Sequence, residues 1–166
     1  MYEFLRVSAP AKPMIQSEEM KQLPKPLLEL PAPEGVRHIP LPKPAEIEVP
    51  SIELRAALEN RQSARKYSDQ PLSLNELAFL LWCTQGIKNI DERPSFRRMV
   101  PSAGGRHAFE TYLLINKVQG LEPGLYRYLS SEHCLLELDH APDLPEALTH
   151  ACEEQSKIKF SAVSFF

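Results

Sequence analysis

Cysteine is scarce in this chain, with only Cys83, Cys134 and Cys152, all far apart in sequence. That spacing excludes the paired C-x-x-C arrangement of a zinc ribbon or a thioredoxin-like redox motif. The three read instead as small buried hydrophobes. No apolar run approaches the roughly 20 residues of a transmembrane helix, and residues 1–12 lack the continuous apolar core of a signal peptide. A cytoplasmic chain away from membranes is the resulting expectation. Neither sign of charge dominates, for 19 basic and 22 acidic residues leave a net charge of −3. Nucleic-acid binding normally shows as a basic domain or stripe and is not expected here. His38, His133, His140 and His150 form no i, i+4 pair, so no metal site is predicted from spacing. There is no G-x-S-x-G elbow to turn Ser63, Ser102 and His107 into a hydrolase's nucleophilic set.

Proline, by contrast, is abundant and uneven. Ten of the sixteen fall in the first fifty residues. Each removes an amide donor and pushes its predecessor toward extended geometry, so residues 1–50 are expected as an extended arm, either docked on a surface or mobile. A proline-motif ligand is the other use of such composition. From Ser51 the texture changes, and residues 51–166 are expected to be one compact domain. Ser51 can cap a helix with Leu54, Ala57 and Leu58 on one face. Ser73 and Glu76 form an S-x-x-E capping box, and Leu72 with Leu77 can make a hydrophobic staple. The helix that follows presents Leu74, Leu77, Ala78 and Leu81, widened by Leu80 and Trp82, and Gly86 stops it.

Residues 109–116 alternate with β-branched and aromatic content and are apolar at most positions, which predicts a central strand. Residues 125–129 and 134–138 predict a hairpin across the turn at 130–132. Asp143 and Glu146 mark a further helix start, with Leu144, Leu148, Ala151 and Cys152 inward. Residues 160–166 read as another strand. The fold class is therefore α/β (α+β), a mixed, mainly antiparallel sheet flanked by helices. A strand so rich in Phe, with nothing after it to cover its faces, leads to the expectation that the fold is incomplete at the C-terminus. Its alternative is a terminal strand that completes a sheet.

Two stretches carry chemistry. Arg61-Gln62-Ser63-Ala64-Arg65 gathers guanidinium forks beside a hydroxyl, a set fit for gripping a phosphate monoester. Basic residues near a helix C-terminus also complement the macrodipole, and that explanation stays open. The second stretch is Pro101-Ser102-Ala103-Gly104-Gly105-Arg106-His107, directly before the predicted strand. Its small residues permit close approach of backbone to a flat ligand, while Ser102 and Arg106 can supply donors. A plain tight turn is the competing reading. Arg93, Arg97 and Arg98 add positive charge, which makes residues 61–106 more basic than the remainder and favours an anionic ligand there.

Taken in order, R-x-S-x-R-x-Y (Arg61 to Tyr67), the capped Leu72-to-Gly86 segment, P-S-A-G-x-x-H-x-x-E-x-Y (Pro101 to Tyr112) and P-G-L-Y-x-Y (Pro123 to Tyr128) resemble the nitroreductase family. Within it they resemble the SagB-type dehydrogenases of thiazole and oxazole peptide maturation. The resemblance covers about residues 51–166. It implies an oxidoreductase that carries hydride on flavin mononucleotide (FMN), with NADH or NADPH as a candidate donor and a small molecule or peptide heterocycle as substrate. It places Arg61, Gln62, Ser63 and Arg65 at the phosphate and ribityl chain. Pro101, Ser102, Ala103 and Gly104 would lie by the isoalloxazine ring, and a homodimer would hold FMN at its interface. Gln62 departs from the second arginine common in the family's first motif. The family's C-terminal basic residue and the Lys/Tyr pair of azoline oxidation have no counterpart, so no catalytic residue carries over. A non-catalytic remnant or a subunit-dependent fragment is the alternative expectation.

Overall fold

The computed structural model describes residues 27–90, 96–102 and 105–166. Their order is β1 (Arg37–Pro40), a 3-10 turn (Pro44–Glu46), α1 (Leu54–Asn60), α2 (Leu74–Gln85), β2 (Ile87–Ile90), β3 (Phe96–Arg98), β4 (Thr111–Ile115), β5 (Gly124–Leu129), β6 (Cys134–Asp139), α3 (Leu144–Ala151), α4 (Lys157–Phe160) and β7 (Val163–Phe165). Five strands make one antiparallel sheet in the order β1-β6-β5-β4-β7, and β2 with β3 makes a separate two-stranded ribbon. A parallel bridge between Leu72 and Val118 adds the mixed element.

Alternation along the strands explains why the sheet is covered on both sides. Leu113, Ile115, Tyr126, Tyr128 and Leu135 join Leu77, Ala78 and Leu81 of α2 in the main core. Leu129, Cys134 and Leu136 form a second cluster, against which Ala32 and Val36 of the proline-rich segment pack. β4 lies between β5 and β7, so its near-continuous apolar run is that of a strand buried on both faces. The two core tyrosines keep partners for their hydroxyls. Tyr126 donates to the Glu122 carbonyl at 2.7 Å, and Tyr128 meets His133 Nδ1 at 2.8 Å. Burial is the first cause that pushes both phenols up, Tyr126 to about 12.

α2 forms as its sequence dictates. Ser73 Oγ accepts from the Glu76 amide at 3.2 Å while Glu76 accepts from the Ser73 amide at 2.8 Å, and Gly86 caps the other end. Leu77, Ala78 and Leu81 are fully buried, whereas Leu80 stays 43% exposed and lies off the core. The Leu72 amide donates to the Lys117 carbonyl and the Gln119 amide to the Leu72 carbonyl, which ties this helix start to the sheet.

Several expectations are corrected. Ser51 does not cap α1: the N-cap is Glu53, without a side-chain bond, and the helix buries nothing. Leu54 and Leu58, expected on a core face, are 73% and 67% exposed, because no described element packs across them. Phe109 lies outside β4 and is exposed. α3 buries only Thr149, whose hydroxyl donates to the Pro145 carbonyl, while Ala151 faces out. The terminal strand is short, since residues 157–160 make a helical turn and pairing with β4 runs over Val163–Phe165 and ends in the reciprocal Tyr112–Phe166 backbone bonds. Within residues 27–50 the arm is extended apart from the turns at 34–35 and Pro44–Glu46, yet it also supplies strand β1 of the same sheet and puts Leu41 in the main core.

Candidate functional site

The end of α2 positions the site. Gly86 accepts from the Met99 amide at 2.9 Å, which pins the β2–β3 ribbon to the helix C-terminus. A Cβ on Gly86 would lie 2.5 Å from Trp82 Cδ1 and 2.6 Å from the Trp82 carbonyl oxygen, so only glycine allows that approach. From β3 the chain enters a tight turn in which the Gly105 amide donates to the Ser102 carbonyl at 3.0 Å and the His107 amide donates to Ser102 Oγ at 3.0 Å. Gly105 and His107 both take left-handed backbone conformations, at φ 65° and 47°. This geometry costs glycine little, and the Ser102 hydroxyl holds His107 in it.

Around the turn lies an open cleft of about 330 Å³. Lys88, Arg97 and Arg98 bring cations to it, Phe96, Val100 and Pro101 bring apolar surface, and Ser102, Gly105 and His107 close one side. A volume near the lower end of ligand sites suits one ring system or one acidic group. Arg98 is the best-held of these groups. Its guanidinium donates to Gln85 Oε1 at 2.9 Å and pairs with the Glu29 carboxylate at 3.8 Å, both charged side chains being almost fully buried. Its Nε is buried with no hydrogen-bond partner among the described residues. Desolvation first, and then the Arg98 charge, lower the pKa of His107 from its ordinary 6.5, so its imidazole is neutral at neutral pH.

Glu29 is the anchor behind that arginine. Burial by itself would raise its pKa, but hydrogen bonds from Ser130 and Ser131 outweigh this and hold the carboxyl below its ordinary range. Ser130 donates through both amide and hydroxyl, at 2.7 and 2.5 Å, and the Ser131 amide donates at 3.1 Å. Beside it Arg127 donates to the carbonyls of Leu30 and Pro31, and Glu110 accepts from the Leu30 amide.

Of the expected site residues, the structure brings Pro101 and Ser102 together with Lys88, Arg97 and Arg98. Ala103 and Gly104, as well as Arg93, lie outside the described residues. Arg61, Gln62, Ser63 and Arg65 do not line this cleft. Arg61 is the extended C-cap of α1, and all of residues 61–65 are exposed. A larger cleft of about 550 Å³ lies between residues 47–50 and α2, but its charged lining residues are Glu48 and Glu76, which would repel an anion. Lys88 and Glu29 were missed in the sequence. Neither sits in a recognisable motif, and only the ribbon and the folded arm carry them to Arg98.

The sequence model of the nitroreductase family matches residues 58–161. The chain belongs to the nitroreductase family. A protein of Methanocaldococcus jannaschii assigned to the nitroreductases is 36% identical over 96 residues, 56% of this chain and 46% of that protein. A nitroreductase-type protein of Ralstonia eutropha, known from a crystal structure, superposes with a TM-score of 0.51 at 35% identity, over 72% of this chain and 52% of its own. One from Anabaena variabilis superposes with a TM-score of 0.52 at 25% identity, over 68% of this chain and 23% of its own. The chain thus spans about half or less of the length of these relatives. In this nitroreductase-family chain the matched region takes in both the Arg61–Arg65 stretch and the cleft at Ser102, and leaves the anchored segment around Glu29 outside it.

Proposed function

We propose that this chain is the flavin-binding part of an FMN-dependent oxidoreductase. The observation that carries the reading is the cleft in which Arg98, with an unpartnered buried Nε, lies with Arg97 and Lys88 against the small-residue turn at Pro101 and Ser102. One buried and two exposed cations around a partly apolar recess suit an anionic aromatic ligand. When bound, FMN would supply the hydride-carrying chemistry, and the protein would supply position and electrostatics. In this reading Pro101, Ser102, Ala103 and Gly104 border the ring, and Arg97 and Arg98 lower the cost of negative charge on it. Neutral His107 adds no positive charge and keeps the turn closed.

Arg61, Gln62, Ser63 and Arg65 would hold the phosphate and ribityl chain from a second copy of the chain. Two features support a homodimer with FMN between subunits. The four residues lie outside the cleft of their own chain, and they follow α1, whose Leu54 and Leu58 are uncovered. Between subgroups, the R-x-S-x-R and P-S-A-G spacings favour a SagB-type dehydrogenase. Its substrate would be a peptide heterocycle or another organic molecule, with a reduced nicotinamide as the alternative hydride partner.

A second reading, a piece that works only when covered by further protein, is favoured by the exposure of Phe109, Phe160, Phe165 and Phe166. Titration of the purified chain with FMN, followed by flavin fluorescence, tests the first. Quenching should saturate, and Arg61→Ala and Arg65→Ala should each weaken binding by roughly ten- to a hundredfold, since one lost charge-assisted contact is worth about 1.5–3 kcal/mol. A chain that stays colourless, with no quenching at any FMN concentration, refutes flavin binding by this chain alone.

A further inference from the structure

The geometry points to a binding site for a zinc-class divalent cation formed by His38, Glu132 and Cys134, on the side of the sheet away from α2. The topology makes the site. β1 pairs antiparallel with β6 so that His38 stands opposite Leu136 and Pro40 opposite Cys134. Side chains two residues apart on one strand share a face, so His38 and Cys134 project on the same side as diagonal neighbours. Glu132 comes from the turn just before β6, two residues ahead of Cys134.

The three donor atoms already lie at ligand spacing. His38 Nδ1 and Glu132 Oε2 are 3.0 Å apart, and Cys134 Sγ is 3.9 Å from each of them. A triangle with those sides has its centre about 2.1 Å from every corner, which compares with zinc distances of about 2.3 Å to sulfur and about 2.0–2.2 Å to imidazole and carboxylate. Lifting the ion slightly out of the plane meets all three values with no rearrangement of the backbone. Thiolate with imidazole and one carboxylate is a borderline-to-soft set, which selects zinc over magnesium or calcium, whose sites are built from oxygen. Cys134 is buried at the floor of the site while His38 and Glu132 stand at its exposed rim, so a fourth position faces water. Binding would displace the thiol proton, since thiolate is the ligand form. The occupied site would join the proline-rich segment to the β5–β6 hairpin by a bond network independent of Glu29.

The test is titration of the chelator-treated full chain with cobalt(II) as a spectroscopic probe, and then with zinc. The expected result is one equivalent per chain, a thiolate-to-cobalt charge-transfer absorption, and its loss on adding zinc but not magnesium. His38→Ala and Glu132→Gln change exposed side chains and should each weaken zinc binding by at least about a hundredfold, the upper end of what losing a supporting partner of a ligand costs. Cys134→Ser should abolish the charge-transfer band, whereas Cys83→Ser and Cys152→Ser should leave it intact. Because Cys134 is buried, the His38 variant keeps the test independent of folding. Zinc should raise the melting temperature of the parent chain and not that of His38→Ala. Absence of the band, unaltered zinc affinity in His38→Ala, or equal displacement by magnesium would each overturn the site.

Discussion

Replacing Glu29 with glutamine removes one charge and one acceptor from the point where the proline-rich segment meets the site. Glu29 Oε1 accepts from the Ser130 amide and hydroxyl and faces Arg98 at 3.8 Å, while Oε2 accepts from the Ser131 amide. Whichever way the new amide turns, its NH2 must face a backbone N–H donor, so at least one bond becomes a repulsion. Arg98, 8% exposed, also loses its counter-charge. Breaking a buried pair costs about 3–5 kcal/mol, but this pair is long and Arg98 keeps Gln85, so the expected loss is about 2–4 kcal/mol. For a chain of this size that lowers the melting temperature by roughly 4–16 °C. Differential scanning fluorimetry of Glu29→Gln against the parent at neutral pH measures it directly.

The pH dependence carries the sign. A carboxyl whose pKa is lower in the folded than in the unfolded chain stabilises above its unfolded value, here ordinarily 4.5, and that stability is lost as pH falls through the lower folded value. The gap between parent and variant should therefore be full at neutral pH and narrow below about pH 4.5. A drop of under about 2 °C at neutral pH, or a gap that persists unchanged in acid, would refute the claim that Glu29 acts as a buried carboxylate anchor.

Two further outcomes follow from the same structure. Ser73→Ala removes the acceptor that caps α2 and should cost about 1 kcal/mol, read as a melting temperature lower by roughly 2–4 °C; no change would mean the capping box is not formed in solution. Leu58→Lys on the uncovered face of α1 should alter the stability of a single chain by less than about 0.5 kcal/mol, because nothing is buried there. It should nevertheless shift sedimentation from dimer to monomer if the proposed homodimer forms through this helix.

The elements legible in sequence were those with strong local signals. The Ser73–Glu76 box, the Gly86 stop and the β5–β6 hairpin stand where their patterns put them, and β4 forms within its predicted span but starts two residues later, at Thr111. Besides the Ser51 cap and the strand ends, the errors were of burial. Leu54, Leu58 and Ala151 have the spacing of a core face, yet periodicity reports only that a face is apolar, not that anything covers it. The β2–β3 ribbon is three to four residues per strand, too short for alternation to register. Arg98 was visible as charge, whereas its buried pairing with Glu29 spans a separation that no local pattern encodes.

Local sequence therefore determined what needs only neighbouring residues: extended backbone where proline forbids helix, the capped α2 and the hairpin. Tertiary structure alone decided which distant groups meet. It set Glu29 against Arg98 and Ser130, and His38 against Cys134, through strand pairing and arm docking. The physical reason is range. Capping and turn preferences act over three or four residues, while burial and charge pairing act through space and depend on which surfaces the folded sheet brings together.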